Sequence, residues 1–381
     1  MKLFSAIAAL AISATSLGAQ EPVTSDQEKF ILETVAEGLS HPWGLAFLPD
    51  GAMLVTERRG QLRRVSAEGQ VGEPITGLPE IQAGKQGGLL DVTLHPQFAE
   101  NRLVYVSFTE PGDGGNSTAV ARGRLSEDGR SLTDVKTIFS QKPKIGNLMH
   151  FGSRIVFDGQ GHIFITTGER FEEQYRTQSQ ELYSHLGKIV RLNENGSVPR
   201  DNPFVNRDGA LPEIWSYGHR NVQAAAMNLE TNTLWEIEHG PKGGDEINIA
   251  EAGKNYGWPV ISFGINYDGT PVGSGKSEAP GMEQPIHQWT PVIAPSGMMF
   301  YTGTAFPEWK GDLFVGGLEV TSLVRVELDG NRIVGEERLL TSQGWRIRDV
   351  AEGPDGSVYV ITDESNGRIL RLRSPGAGAS Q

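Results

Sequence analysis

A short unit that recurs along the chain limits the folds open to it. In each copy a strand runs into a turn rich in Pro, Asp, Gly or Asn, a second strand follows, and an acidic residue or Gly ends the unit. The two clearest copies span residues 44–57 and 349–363, and looser copies span residues 91–110, 154–169, 224–240 and 298–319. The copies begin about 45 to 75 residues apart, which is the length of one four-stranded sheet plus variable loops in a repeat protein.

Six copies of this strand-turn-strand unit predict an all-β chain folded as a six-bladed β-propeller of four-stranded antiparallel blades. Propeller blades pack radially, so each covers the face of the next and few strand edges stay open. A large sandwich or a barrel is the alternative, but neither predicts one unit repeated from end to end. We expect residues 30–36 to supply a strand that closes the ring with the last blade. The predicted propeller spans residues 20–373, and residues 374–381 are predicted to be a disordered tail.

The composition excludes several classes of chemistry. The chain has no Cys, which excludes disulfides, thiolate nucleophiles, Cys-ligated zinc, iron–sulfur clusters and C-x-x-C-H haem attachment. It carries 47 Asp and Glu against 34 Lys and Arg, a net charge of −13 at pH 7, and an acidic chain is a poor match for polyanionic nucleic acids. The sequence also contains no P-loop and no G-x-S-x-G element, which argues against nucleotide cofactors and serine-hydrolase chemistry.

Residues 1–19 have the order of a secretory signal peptide. Lys2 is followed by a mostly apolar run over residues 3–12 and by small residues that end at Ala19. The apolar run is shorter than the ~20 residues that span a bilayer, so we expect cleavage after Ala19 and not a membrane anchor. An exported chain without Cys is typical of a bacterial periplasm, which is the predicted location.

A propeller binds ligands at one mouth of its central channel, where loops at the ends of the innermost strands meet. Polar clusters at corresponding ends of the repeats are therefore the place to look for a site. His150 precedes the third repeat between Met149 and Phe151, and His is the side chain whose pKa suits a general base near neutral pH. This position makes His150 the best candidate base, but it does not by itself establish that role.

The step Gly240-Pro241 lies in a segment dense in Gly and acidic residues, which include Asp245 and Glu246. Main-chain carbonyls in such a segment can face a hard cation that prefers oxygen ligands, and calcium is the natural candidate. The alternative is a Gly-rich turn whose carboxylates are solvated.

Three arginines stand out in this acidic chain, namely Arg220, Arg346 and Arg348. The last two alternate with Ile347, so they are predicted to point to the same face of a strand. Arg side chains pair with carboxylates and phosphates, so three of them at one mouth would indicate an anionic ligand. The alternative is that each forms a salt bridge with a local Asp such as Asp349.

At these residues the chain resembles the soluble pyrroloquinoline-quinone (PQQ)-dependent glucose and aldose sugar dehydrogenases, and most of all their bacterial aldose sugar dehydrogenase branch. The resemblance covers nearly the whole mature chain. Its motifs follow one another in the family's order at residues 41–44 (His-Pro-Trp-Gly), 187–192 (Gly-Lys-Ile-Val-Arg-Leu), 255–259 (Asn-Tyr-Gly-Trp-Pro) and 346–349 (Arg-Ile-Arg-Asp). Members of this family are six-bladed propellers that oxidise aldoses to aldonolactones, and the repeat count agrees with that fold.

The resemblance also implies a role for each matching residue. His150 would remove the proton of the anomeric hydroxyl as hydride passes to PQQ, and Arg220 would act with calcium to stabilise charge on the quinone oxygen. Main-chain carbonyls of Gly240 and Pro241 would bind that calcium. The implied cofactor contacts are Gln86, Arg220, Asn221, Arg346 and Arg348. The implied ligands of a second, structural calcium are Asp245, Glu246 and Tyr256.

Glu319 departs from the family pattern, in which this position is a cofactor-contacting Lys. A carboxylate here opposes a tricarboxylate cofactor, unless Glu319 points away or Lys85 or Lys242 compensates for it. Glu319 therefore leaves open a non-catalytic binding propeller that has lost PQQ. A calcium-dependent lactonase also stays open, because other six-bladed propellers hold one calcium in the channel and hydrolyse esters.

Met149 lies where the glucose-specific members have Asp, and Val292 lies where the family has a Thr that contacts the cofactor. The substrate-facing loops at residues 170–180 and 263–283 are the segments least like the glucose enzymes. The predicted partners are an aldose sugar and a separate electron acceptor, which is a quinone or a cytochrome. The chain is predicted to be a monomer or a homodimer.

Overall fold

The structure is a computed structural model that describes residues 22–378. The predicted signal peptide at residues 1–19 and the last three residues of the predicted tail lie outside this range, and a 3-10 turn covers Pro375–Gly378. Loops contain two short helices and three further 3-10 turns: α1 (Phe98–Asn101), α2 (Glu173–Arg176), Thr177–Gln180, Pro307–Trp309 and Thr341–Gln343. No helix in the described range is long and apolar enough to cross a membrane.

The described chain forms a six-bladed β-propeller, which confirms the predicted fold class. Blades one to three consist of β3 (Pro42–Phe47), β4 (Met53–Glu57), β5 (Gln61–Val65) and β6 (Val71–Pro74); β7 (Leu89–Leu94), β8 (Leu103–Gly112), β9 (Gly115–Leu125) and β10 (Leu132–Ser140); and β11 (Ile155–Phe157), β12 (His162–Thr166), β13 (Lys188–Asn193) and β14 (Ile214–Tyr217). Blades four and five consist of β15 (Val222–Asn228), β16 (Thr233–Glu238), β17 (Asp245–Ile249) and β18 (His287–Trp289); and β19 (Pro295–Phe300), β20 (Leu313–Gly317), β21 (Ser322–Asp329) and β22 (Arg332–Leu339). Blade six consists of β23 (Ile347–Glu352), β24 (Val358–Thr362), β25 (Gly367–Arg373), β2 (Lys29–Leu39) and β1 (Val23–Thr24).

The first strand of every blade lies innermost, and these six strands contact one another around the central channel. The predicted repeat unit corresponds to the first two strands of each blade. Its Pro-Asp-Gly turns form by local chemistry, because Gly51 and Gly356 adopt the left-handed φ values of 81° and 73°. In the first copy Asp50 Oδ1 also accepts the Ala52 N–H at 3.1 Å.

The N-terminal strand closes the ring. β2 pairs antiparallel with β25, from Ile31 opposite Arg373 to Leu39 opposite Gly367, which confirms the strand predicted at residues 30–36. β1 pairs with the outer edge of β2, so blade six has five strands where four were predicted. The N-terminal and C-terminal strands of the described chain thus hold the ring together by hydrogen bonds between them.

Charged side chains fill the channel. Arg154 Nη1 lies 3.0 Å from Asp91 Oδ1 and 3.1 Å from Asp349 Oδ1, and the three residues come from blades three, two and six. The second oxygen of each carboxylate accepts a main-chain N–H, from Ile155 at 2.8 Å and from Leu45 at 3.0 Å. Because the cluster is buried, removal of one member would leave an uncompensated charge and destabilise the ring.

Candidate active site

His150 lies at the end of the channel where the innermost strands begin. It precedes β11 with a left-handed backbone (φ 49°), and its main-chain N–H donates to Gln86 Oε1 at 2.8 Å. Gly168, which follows β12, packs tightly against His150. A Cβ at residue 168 would lie only 2.2 Å from the His150 carbonyl oxygen. Gln86, a predicted cofactor contact, therefore helps to position the predicted base, and only Gly fits at residue 168.

Glu169 orients the His150 ring. Nδ1 of His150 lies 2.6 Å from Oε2 of Glu169, with both side chains buried. The same carboxylate oxygen accepts the main-chain N–H of Phe171 at 3.0 Å. A neutral imidazole that donates its Nδ1–H to a carboxylate keeps the Nε2 lone pair free to take a proton. The pair therefore has the arrangement of an oriented general base.

Burial and nearby cations favour the neutral form of His150. Burial is the largest influence and lowers the pKa of the imidazole; Arg220 and Arg170 lower it further, and Glu169 opposes the shift only in part. Burial would raise the pKa of the Glu169 carboxyl, but His150 and Arg220 outweigh burial, and the net shift is downward. Near neutral pH the site therefore contains an uncharged imidazole beside an ionised carboxylate.

Arg220 and Asn221 precede β15 and are linked to the same corner of the site. The Arg220 carbonyl accepts the main-chain N–H of Glu169 at 2.9 Å, and Asn221 Oδ1 accepts the main-chain N–H of Gly152 at 3.1 Å. These two bonds join the starts of blades three and four. The predicted base and two predicted cofactor contacts are therefore brought together by the structure.

The Arg220 guanidinium is only partly satisfied. Its Nη1 donates to the carbonyls of His239 and Gly240 at 2.9 and 2.7 Å, and the group lies 5.2 Å from the Trp258 ring centroid. Within residues 22–378, Arg220 Nε and Nη2 and Asn221 Nδ2 are buried and have no hydrogen-bond acceptor. Buried donors without acceptors are rare and often indicate an absent ligand or ion.

The two arginines of blade six have different surroundings. Arg348 is buried and forms an ion pair with Asp363, while its buried Nε has no acceptor among the described residues. Arg346 precedes β23, is exposed, and donates from Nη1 to the Leu318 carbonyl at 2.9 Å. An ion pair therefore satisfies part of the Arg348 guanidinium, as the salt-bridge alternative predicted. The partner is Asp363 and not Asp349, which pairs with Arg154.

The Gly240-Pro241 step lies just after β16 in a tightly folded loop. A Cβ on Gly240 would lie 2.2 Å from the Gly243 carbonyl oxygen, so only Gly fits. The Gly240 N–H donates to Asp245 Oδ1 at 2.8 Å, and Asp245 Oδ2 accepts two main-chain N–H groups that precede β19, both at 2.8 Å. Asp245 thus anchors the predicted calcium loop to blade five, with both of its oxygens bound to main-chain donors.

Glu246 has a different environment from Asp245, because neighbouring residues of β17 point to opposite faces. It lies opposite Glu238 in the β16–β17 ladder, and these two carboxylates line a small cavity together with Tyr256. The structure therefore brings together two of the three predicted ligands of the second calcium. The third, Asp245, lies on the other face of the strand.

An acidic cluster adjoins this cavity. Ligand atoms of His219, Glu236 and Glu238 lie within 4.8 Å of one another, and all three side chains are buried. Burial would lower the pKa of His219, but its hydrogen bonds to the two carboxylates outweigh burial and raise it to about 9. Burial and the neighbouring Glu238 raise the pKa of Glu236 to about 7. Such a concentration of carboxylates is the environment that an oxygen-seeking cation requires.

The sequence analysis assigned no role to Glu169 or to Glu238. A signal was present, however, because the repeat unit ends in an acidic residue or Gly. In the structure this acid lies where the second strand of a blade reaches the mouth. There it binds a residue that precedes or begins an innermost strand: Glu169 binds His150, Glu238 accepts the Arg220 N–H, and Asp363 binds Arg348.

Glu319 lies at the rim of a cleft of about 660 Å³ that also contains Pro241, Lys242 and Val292. Glu319 and Lys242 are both exposed, and the Glu319 N–H donates to the Ile293 carbonyl at 3.0 Å. The carboxylate that departs from the family pattern therefore shares its cleft with a lysine.

Comparison with known proteins gives a consistent result. Residues 39–371 match the family model described as glucose/sorbosone dehydrogenase. Aldose sugar dehydrogenase YliI of Escherichia coli is 48% identical over 344 residues, which cover 90% of this chain and 92% of that protein. The apo-form crystal structure of the soluble aldose sugar dehydrogenase from E. coli matches with a TM-score of 0.87 at 46% identity, over 90% of this chain and 99% of that one. The PQQ-bound aldose sugar dehydrogenase from Streptomyces coelicolor matches with a TM-score of 0.75 at 29% identity, over 92% and 99% of the two chains.

Proposed function

The chain belongs to the glucose/sorbosone dehydrogenase family, and from this premise we propose that it is a PQQ-dependent aldose sugar dehydrogenase that oxidises aldoses to aldonolactones. The observation that carries the proposal is the buried His150–Glu169 pair beside the unpartnered donors of Arg220. The similarity to an aldose sugar dehydrogenase over nine tenths of the chain favours this reaction over the lactonase and binding-propeller alternatives.

The donors at the mouth fit a flat cofactor with three carboxylates. Arg220, Asn221 and Arg348 each have a buried N–H group without an acceptor among the described residues, and leaving such groups unsatisfied costs ~1–3 kcal/mol each. Guanidinium donors pair strongly with carboxylates. These three residues, with Gln86 and Arg346, would hold PQQ, which when bound supplies a two-electron acceptor for the hydride of the anomeric carbon.

His150 takes the proton in the proposed reaction. Its Nε2 accepts the proton of the anomeric hydroxyl, and the Glu169 carboxylate stabilises the imidazolium that results. Glu169 also fixes the tautomer, because its bond to Nδ1 leaves Nε2 as the base. Arg220 supplies a buried positive charge that needs no reorganisation as negative charge develops nearby.

Two calcium sites are part of the proposal. Carbonyls of Gly240 and Pro241 would bind the ion that assists the cofactor, in a loop whose shape is fixed by Asp245. Glu246 and the Tyr256 carbonyl would bind a second ion beside Glu238. Main-chain carbonyl ligands support calcium at the first place, and the concentration of carboxylates supports it at the second.

We propose that the enzyme works in the periplasm, after removal of residues 1–19, and that it passes electrons to a separate quinone or cytochrome. The order of charged, apolar and small residues at the N-terminus supports export. The absence of Cys from the sequence rules out a covalently attached c-type haem in this chain. Cell fractionation and N-terminal sequencing of the mature protein test the location, and retention of Met1 in the cytoplasmic fraction would contradict it.

Titration of the purified apo-protein with PQQ in excess calcium tests the function. We expect saturable binding in the quinone absorbance and, after addition of aldoses with an artificial electron acceptor, sugar-dependent reduction. His150→Ala should lose turnover by about 100-fold or more, the scale of general base catalysis, and should still bind PQQ. Wild-type rates in His150→Ala would show that His150 is not the base.

A matched control is His162→Ala. His162 also forms a close pair with a carboxylate, Asp158, at 2.7 Å, but it lies at the opposite end of blade three, where β12 begins. We expect this variant to keep wild-type turnover. Failure of the wild-type protein to bind PQQ would point to Glu319 and favour the lactonase or binding-propeller function.

A further inference from the structure

Two consecutive residues after Glu169 adopt left-handed backbone conformations. Arg170 has φ 72° and Phe171 has φ 73°, although neither is Gly. Such conformations cost ~1–3 kcal/mol each and persist only where the surrounding structure enforces them, which is most often at functional sites. The turn that they form directs the Phe171 side chain toward His150.

Arg170 enforces this turn. Its guanidinium is buried and donates to the carbonyls of Met149 (2.9 Å) and Asn147 (2.5 Å), and to Asn116 at 2.8 and 2.6 Å. The group also lies 4.1 Å from the Phe151 ring centroid. Arg170 therefore ties the turn to the segment that precedes His150, and the two sides of the site are held at a fixed distance.

Phe171 lies against the imidazole of His150. The ring centroids are 5.1 Å apart, with an interplanar angle of 88°, and the Phe171 N–H is bound by the carboxylate that orients His150. In contrast to the buried Phe151, Phe171 is partly exposed. The two left-handed residues thus place a partly exposed aromatic ring beside the base. This ring borders the mouth of the channel.

We propose that Phe171 is a sugar-binding platform that packs against the C–H face of a pyranose whose anomeric hydroxyl faces His150. Aromatic rings offer a large rigid apolar surface, and the alternating axial C–H groups of a pyranose give it an apolar face of matching size. In D-glucose and D-xylose the hydroxyl groups at C2 to C4 are equatorial and lie at the edge of the ring, so this contact selects for pyranoses that present axial C–H groups to Phe171. The inference rests on the proposed function and adds to it the residue that packs against the sugar ring.

The test compares Phe171→Ala, Phe171→Tyr and the control Tyr183→Ala in the calcium- and PQQ-loaded protein. Tyr183 is an aromatic residue that is 61% exposed and has no contact with His150. With D-glucose and D-xylose we expect Phe171→Ala to raise KM by about 10-fold, the scale of an apolar contact in a binding site, with kcat changed less than 3-fold. Phe171→Tyr, which keeps the ring, and Tyr183→Ala should retain the wild-type KM.

Two further measurements separate a platform from a merely structural role. The PQQ dissociation constant should be unchanged in Phe171→Ala, because cofactor binding does not depend on sugar packing. Loss of the ring uncovers part of the His150 imidazole, so a small upward move of the acid limb of the pH–kcat profile should accompany the rise in KM. A lower kcat with a shifted acid limb and an unchanged KM would show that Phe171 acts only through His150, and would overturn the proposal. An unchanged KM with unchanged kcat would overturn it as well.

A further experiment tests sugar binding without turnover, by saturation-transfer NMR of D-glucose in the presence of the apo-protein. We expect transfer to the pyranose C–H protons in the wild type and Phe171→Tyr, and at least a 5-fold weaker signal in Phe171→Ala. This arm separates the two hypotheses. A wild-type protein that gives the Phe171-dependent signal but oxidises no sugar would contradict the proposed function and support the platform, whereas sugar oxidation with a signal independent of Phe171 would do the reverse.

Discussion

Nδ1 of His150 lies 2.6 Å from Oε2 of Glu169, with the imidazole 5% and the carboxylate 0% exposed. Because both groups are buried, their electrostatic interaction is stronger than it would be in water. The carboxylate fixes the tautomer of the ring and favours its protonated form, while burial favours the neutral form. The base strength of His150 is therefore set by burial and two nearby arginines, which lower its pKa, against the Glu169 carboxylate, which raises it.

Replacing Glu169 by Gln should lower kcat by about 10- to 100-fold, less than the full ~100- to 10,000-fold effect of general base catalysis because His150 itself is retained. Glu169 raises the pKa of His150, so its removal makes the imidazole a weaker base. Because the base works only when unprotonated, the acid limb of the pH–kcat profile should move to lower pH in the variant. Steady-state rates between pH 4.5 and 8 measure both effects, and an acid limb that moves upward would contradict the assigned partner.

Replacing Arg220 by Lys should weaken PQQ binding by about 10-fold or more, because a hydrogen bond to a charged group contributes ~1.5–3 kcal/mol. Lys keeps the positive charge but not the Nε and Nη2 donors that lack acceptors in the described structure. Equilibrium titration of PQQ measures the change. Arg332→Lys on the surface of blade five (guanidinium side chain 74% exposed) is the control and should bind as the wild type does.

Calcium should raise the thermal stability of the apo-protein, and Glu246→Gln should reduce that gain. An ion that binds only the folded state adds ~2.7 kcal/mol when its concentration is 100 times Kd. Differential scanning fluorimetry at 0 to 5 mM calcium measures the shift in Tm, with Glu251→Gln, an exposed residue after β17, as control. Equal calcium-induced shifts in Glu246→Gln and wild type would exclude Glu246 as a ligand.

Replacing Arg154 by Met should lower the free energy of unfolding by about 3–5 kcal/mol, the cost of breaking a buried ion pair on one side. The Asp91 and Asp349 carboxylates would then face each other without a cation. Burial already raises the pKa of Asp91 to about 6, and loss of the arginine raises it further, so the variant should recover stability as the pH falls from 8 to 5. Urea denaturation at both pH values tests this, and a loss independent of pH would contradict it.

Replacing Glu319 by Lys should tighten PQQ binding by about 2- to 10-fold, because it exchanges a repulsive for an attractive charge at an exposed rim, where one pair contributes ~0.2–1 kcal/mol. Lys242→Ala should weaken binding to a similar extent, since Lys242 shares the cleft. Titrations at 20 and 500 mM salt check the electrostatic origin, because screening should remove most of both effects. Salt-independent changes would indicate altered contacts instead.

The repeat made the fold readable from the sequence. Each copy contains its own strands and its own turn, so the conformation of residues 44–57 follows from local chemistry such as the left-handed Gly51. Six copies then determine six blades, and the need to cover every blade face determines a closed ring. The fifth strand of blade six was not predicted, because Val23–Thr24 is too short to give a pattern.

The directions of the side chains at the mouth could not be predicted from the sequence pattern. Five innermost strands contain a register shift near their first residues, for example between Val222 and Ala224 and between Ile347 and Asp349. Such a shift re-aims the side chains that follow, and no residue pattern reports where it occurs. The two neighbours Arg348 and Asp349 illustrate the result, because Arg348 pairs with Asp363 and Asp349 pairs with Arg154.

The sequence by itself determined the all-β class, the number of blades, the closing strand and the residue types collected at one mouth, because each depends on local pattern or on the count of copies. Only the tertiary structure decided which of those residues touch. His150 and Glu169 are 19 residues apart, and Arg154 and Asp349 are 195 apart. Packing within blade three brings the first pair together and ring closure the second, and burial then sets their charges, which no local pattern contains.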